Sequence, residues 1–175
     1  MGKRRALEDY SAMREEFDNA SDRAVAILGA AYVEEAVLDA LLAEIGIEDQ
    51  KTIEELLGNG APFSTFSNKI MMVSVLGLIG PRTRGDLDRI RKIRNECAHS
   101  VNPISFTDQK IMAWSAALTP RRLPIPNVEA YLPDASKPRE RFQECCHQIY
   151  DQLYNDDRTY DHGKGANVVF GFELD

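Results

Sequence analysis

Apolar residues recur along most of the chain at steps of three and four, the spacing of one face of an α-helix, and no convincing run of strict alternation occurs before the C-terminal tail. Leu7, Tyr10, Met13 and Phe17 put one apolar stripe on the charged segment 4–17, the pattern of a helix lying on a surface. Ser21 and Asp22 then open DRAVAILGAAYVEEAVLDALLAEIG, in which apolar residues occupy almost every face before Gly46 closes the segment. A helix of that kind belongs at the centre of a bundle.

A short helix follows Thr52 through IEELL and stops at GNGAP; FSTFSNKIMMVSVLGLIG then predicts a capped helix running to Gly80-Pro81. Pro81 suits the first turn of PRTRGDLDRIRKIRNECAHSV, where its missing N–H would have had no partner in any case. Leu87, Ile90, Ile93, Arg94, Cys97, Ala98 and Val101 follow at helical steps, which puts Arg94 on or beside the buried stripe. A further helix is expected from Thr107, then a stiff connection over 119–137 with prolines at 120, 124, 126, 133 and 138. PRERFQECCHQIYDQLY closes the series with Phe142, Cys145 or Cys146, Ile149 and Leu153 on its apolar side. The expectation is an all-α bundle of about five to seven helices forming one domain over 1–155, with a tail over 156–175 that includes a short strand at 168–172.

Composition narrows this picture. At 175 residues and 43% hydrophobic, the chain can bury one core and not two. The longest apolar run, IMMVSVLGLIG, is too short to span a bilayer, the basic N-terminus has no apolar stretch behind it, and Ala6 stands where a myristoylation signal needs Ser or Thr. No membrane association is expected. Three cysteines, two of them adjacent, do not make a disulfide framework, and a cytoplasmic location follows. A net charge of -7 excludes wholesale wrapping of nucleic acid, so any such contact must be local.

Nucleotide-binding glycine loops and the HExxH pattern of zinc proteases are missing from the sequence. Cys97, His99, Cys145, Cys146 and His147 are of metal-ligand type, but their spacing matches no closed zinc unit, and neighbours on a helix point to different sides. No metal and no cofactor are expected. Cys97 sits among apolar positions, where thiols are inert. The strongest chemical signal is a basic run within an acidic chain: Arg82, Arg84, Arg89, Arg91, Lys92 and Arg94, opposed only by Asp86 and Asp88. It reads either as a solvated helix face or as a phosphate-facing surface with His99 at its end. Glu34, Glu35 and Asp39 form an acidic wedge on the central helix, from which Glu35 is expected to meet an arginine. Asn95 and His99 share a helix face, whereas Arg94 and His99 lie five residues and about 140° apart, so one straight helix cannot easily aim both at one atom.

RNECAH resembles the R-N-x-x-A-H form of the Rx4-6H motif of the HEPN superfamily, small helical domains that include many metal-independent ribonucleases and some inactive relatives. DRAVAILGAAYVEEAVLDALL, APFSTFSNKIMMVSVLGLIG and DLDRIRKIRNECAHS, followed by ISFTD, resemble successive blocks of the mannitol operon repressor family, itself a HEPN-like group; the likeness covers about residues 20–118. The resemblance implies a HEPN-like bundle and a homodimer in which the 82–101 helices meet, so that Arg94 of one chain lies near His99 of the other. It implies His99 as general acid or base, Arg94 holding phosphate, Asn95 orienting backbone or imidazole, and Arg84, Arg89, Arg91 and Lys92 binding RNA. The family name implies a different role, a non-catalytic repressor-like regulator acting through protein partners, because no DNA-reading module is present in the sequence. Arg94 would then form a structural bridge to a carboxylate, and His99 would close the helix end.

Overall fold

The computed structural model describes residues 15–120 and 134–155, and these are helical with no strand among them. A helical segment at 15–19 precedes α1 (Asp22–Ile45), α2 (Gln50–Leu57), α3 (Phe66–Val75), α4 (Pro81–His99), α5 (Gln109–Ala116) and α6 (Pro138–Asn155). Leu7, Tyr10 and Met13, most of the proline-rich connection and the strand expected at 168–172 lie outside the described residues.

Local chemistry sets the helix ends. The Ser21 hydroxyl accepts from the Ala24 amide at the start of α1, and Gly46, at φ +71°, ends it with its own amide and that of Ile47 turned back onto Ala43 and Leu42. Asp49 and Thr65 cap α2 and α3 in the same way. The expected run of α3 to Gly80-Pro81 is corrected: the helix stops at Val75, because Gly77 takes the left-handed conformation and the Leu78 amide bonds back to the Val73 carbonyl. Leu78 and Ile79 enter the core from the connection that follows. The N-cap of α5 is Asp108, one residue beyond Thr107.

The centre of the bundle is α1, which packs against α6, α4 and α3. Its buried positions are mostly small, including Ala26, Gly29, Ala30, Ala36 and Ala40, and the large side chains come from around it: Phe17, Phe106, Phe142, Leu87, Ile90 and Ile93. Small residues on one helix let bulky neighbours interlock with it at close range. Phe17 is fully buried while Glu15, Glu16, Asp18 and Asn19 around it are exposed, so the 15–19 segment lies on the surface with one aromatic side chain in the core. Both Cys145 and Cys146 are buried on α6 with Phe142, Ile149 and Leu153, and burial holds both thiols protonated well beyond the ordinary range. Ile90, Ile93 and Cys97 also lie in the core of the single chain, so they cannot supply the apolar surface of a dimer.

Polar ties hold the connections to this core. Asp22 accepts from the Phe106 amide at 2.9 Å and from Arg139 at 2.6 Å, and Arg139 also donates to the Asp18 and Ala20 carbonyls. At the other end of α4's first turns, buried Asp86 accepts from the Thr119 amide and hydroxyl and from Arg89, fastening the chain where the proline-rich connection begins. No helix among the described residues is long and apolar enough to cross a membrane.

Two consequences are measurable. A Cβ on Gly29 would lie 2.7 and 2.8 Å from atoms of the Phe17 ring and 2.9 Å from Phe142. Overpacking there costs about 1–3 kcal/mol against about 1 kcal/mol of helix propensity gained, so Gly29→Ala is expected to lower the urea midpoint; an unchanged or raised midpoint would contradict the packing. Burial pushes the Asp86 carboxyl above its ordinary value of 3.8, with the Thr119 hydroxyl and the Arg89 charge pulling the other way. Between the ordinary and the raised value the folded chain therefore holds more proton than the unfolded one, and the stability due to this group falls as pH rises. Wild type should gain on Asp86→Asn as the pH is lowered through that window, and a difference in urea midpoint that does not vary with pH would contradict this.

Candidate functional site

The motif helix α4 divides its polar side chains between two surfaces. Arg94 faces α1 and α3, where Glu34 takes both it and Lys69: Arg94 Nη2 lies 3.2 Å from Glu34 Oε2, and Lys69 Nζ lies 2.6 Å from Glu34 Oε1. The side chains are 32%, 11% and 22% exposed for Arg94, Lys69 and Glu34, so the triad is largely withdrawn from water. One carboxylate thus joins three helices. Within the acidic wedge, Glu34 is the carboxylate that Arg94 meets. Glu34 follows buried Ala30 by four positions and precedes buried Val37 by three, so it stands on the packed edge of α1; Glu35 is rotated about 100° from it.

The second surface faces α5. Lys92, Asn95, Glu96, His99 and Ser100 line an open groove of about 440 Å³, whose remaining wall is Trp114 of α5. Helical periodicity accounts for the grouping, since positions 92, 95, 96 and 99 fall on one face. Glu96 is paired with Lys110 of α5 at 3.2 Å. Among the described residues, the side chains of Lys92, Asn95 and His99 have no hydrogen-bond or ion-pair partner, and Lys92 and His99 are exposed. Asn95 and His99 therefore meet as their spacing implies, while Arg94 of the same chain points elsewhere.

His99 stands at the last position of α4, and the chain leaves the helix at Ser100 in extended conformation. Arg23 of α1 holds this end by donating to the carbonyls of Ser100 at 2.9 Å and Asn102 at 2.6 Å. That break in periodicity corrects the expected apolar stripe: Ala98 is exposed, and Val101, beyond the helix, is 96% exposed. Burial raises the Cys97 thiol to about 11, so it stays protonated and unreactive beneath the groove.

The rest of the basic run lies apart from this groove. Arg89 pairs with Asp86 at 3.2 Å and Arg91 with Asp88 at 3.4 Å, each one helical turn away, and exposed Arg84 donates to the Ser74 hydroxyl. Of the cations expected to bind RNA, the structure brings only Lys92 beside His99. Trp114, Lys69 and Arg23 carry no signal in the sequence that marks them as parts of a site, because each joins it from another helix.

No protein-family model, curated protein or solved structure matches the chain.

Removing the Glu34 carboxylate leaves two cations without their counter-charge. Glu34→Gln is expected to destabilise by about 1–3 kcal/mol, more than the ~0–1 kcal/mol of an exposed pair and less than the ~3–5 kcal/mol of a fully buried pair broken on one side. A cycle with Arg94→Met, measured by urea unfolding, should show coupling between the two positions; strict additivity would contradict the bridge.

Proposed function

We propose that the chain binds RNA in the groove at the end of α4 and cleaves it without a metal, as a HEPN-like relative of the mannitol operon repressor family. The observation that carries this reading is the meeting of His99, Asn95 and Lys92 in one open groove, with their side chains not engaged by other described residues. An imidazole can move protons at neutral pH, an ammonium can hold a phosphate, and a carboxamide can orient either. RNA brings its own nucleophile. His99 takes the proton of the 2′-hydroxyl as its oxygen bonds to phosphorus, the bond from phosphorus to the 5′-oxygen breaks, and that oxygen receives a proton from water, to which His99 returns the one it took. The products are a 2′,3′-cyclic phosphate and a free 5′-hydroxyl. Lys92 balances charge on the phosphate, Asn95 orients the reacting groups, and Arg94 of the second copy completes the site.

A second reading has its own support. Arg94 already serves a structural purpose in its bridge to Glu34, so the presence of the motif does not by itself require catalysis. On that reading the chain is a non-catalytic repressor-like regulator. It would act through a protein partner, and exposed Met71, Val75 and Leu76 at the end of α3 offer apolar contact surface for one.

Cleavage of a mixed RNA pool in the presence of EDTA, scored for 2′,3′-cyclic phosphate ends, separates the two. On the ribonuclease reading, His99→Ala lowers the rate by about 10²- to 10⁴-fold while RNA binding persists. Purified wild-type protein that binds RNA but leaves it intact would rule out the catalytic reading in favour of the regulator.

A further inference from the structure

We propose that the groove takes unpaired RNA, with the Trp114 indole as the platform on which a base stacks. This inference rests on the RNA reading above and adds the class of substrate. The walls supply the kinds of contact a nucleotide needs: an aromatic surface from Trp114, hydrogen-bonding groups from Asn95 and Ser100, an imidazole from His99 and an ammonium from Lys92. About 440 Å³ is within the range of small-ligand sites. The one carboxylate in the wall, Glu96, is balanced by Lys110, so an approaching phosphate meets no unopposed negative charge.

The distribution of cations selects the single strand. A duplex binder needs a stripe of available positive charge along two phosphate backbones, and its stacked bases present no free faces. Here Arg89, Arg91 and Arg94 are tied to Asp86, Asp88 and Glu34, which leaves the charge beside Trp114 local. A short cationic contact next to an aromatic side chain suits a splayed base and its own phosphate.

Trp114 is the chain's single tryptophan, so its emission reports on the groove in the intact protein. The probes are a 2′-O-methyl RNA strand of mixed sequence, the same strand in a duplex, and an acidic peptide. The single strand should change the emission and bind more tightly than the duplex. Loss of base stacking in Trp114→Ala should weaken binding by about 5- to 150-fold, while Trp114→Phe retains most of the affinity. Thermal melting establishes that both variants fold; if Trp114→Ala does not, the wild-type emission and strand preference decide.

Equal affinity for the duplex, unchanged emission at saturation, unchanged affinity in a folded Trp114→Ala variant, or binding of the acidic peptide in place of RNA would each overturn the inference. Because 2′-O-methyl RNA has no free 2′-hydroxyl, these outcomes do not depend on cleavage. A protein that meets the binding expectations but leaves unmodified RNA intact keeps the base platform and loses the ribonuclease reading. A protein that cleaves unmodified RNA while its Trp114→Ala variant binds as wild type does the reverse.

Discussion

Glu34 holds three helices together through a single carboxylate, and the arrangement of α4 follows from that constraint. With Lys69 of α3 on one oxygen and Arg94 of α4 on the other, the rotation of α4 about its axis is set by charge as well as by the burial of Leu87, Ile90, Ile93 and Cys97. A carboxylate that removed from water requires its partners, since a desolvated charge without a counter-charge is far more costly than an exposed one. With Arg94 directed at α1, helical geometry directs Lys92, Asn95 and His99 toward α5. The groove is therefore a consequence of the bridge.

Around this joint, the molecule uses two kinds of fastening. The small residues of α1 let Phe17, Phe106 and Phe142 approach closely, so the core depends on shape. The connections are held by side chains acting on backbone: Arg23 on the Ser100 and Asn102 carbonyls, Arg139 on those of Asp18 and Ala20, Arg141 on that of Leu118, and Asp22 on the Phe106 amide. The first and last of these bracket the 100–106 segment beside the groove. His99 thus ends a helix whose exit is clamped, while its imidazole faces open space, the combination of rigid support and accessible chemistry that a proton-transfer group requires.

The same geometry separates the two functional readings in physical terms. Within one chain the arginine and histidine of the motif cannot address a single phosphate, because Arg94 is held by Glu34 on a different face. Catalysis with both would need a second copy, and the apolar residues of α4 are consumed by the core of the first. Such an assembly would have to meet through the polar face of α4 or through apolar side chains elsewhere, of which Met71, Val75 and Leu76 form one group.

The helical class, the central place of α1 and its two ends were legible in the sequence because they depend on local signals: three-and-four periodicity, the Ser21 hydroxyl, the αL glycine at 46 and the proline at 81. The end of α3 was less legible, because Gly77 inside an apolar run ends the helix ahead of the stronger Gly-Pro signal at 80–81. The shared face of Asn95 and His99 could be read from their spacing alone, since one helix carries both. The pairing of Glu34 with Arg94 and Lys69, the wall made by Trp114 and the clamp from Arg23 join side chains from different helices. No spacing along the chain encodes them. Periodicity says which residues share a face; only the packing of one helix on another decides what that face meets.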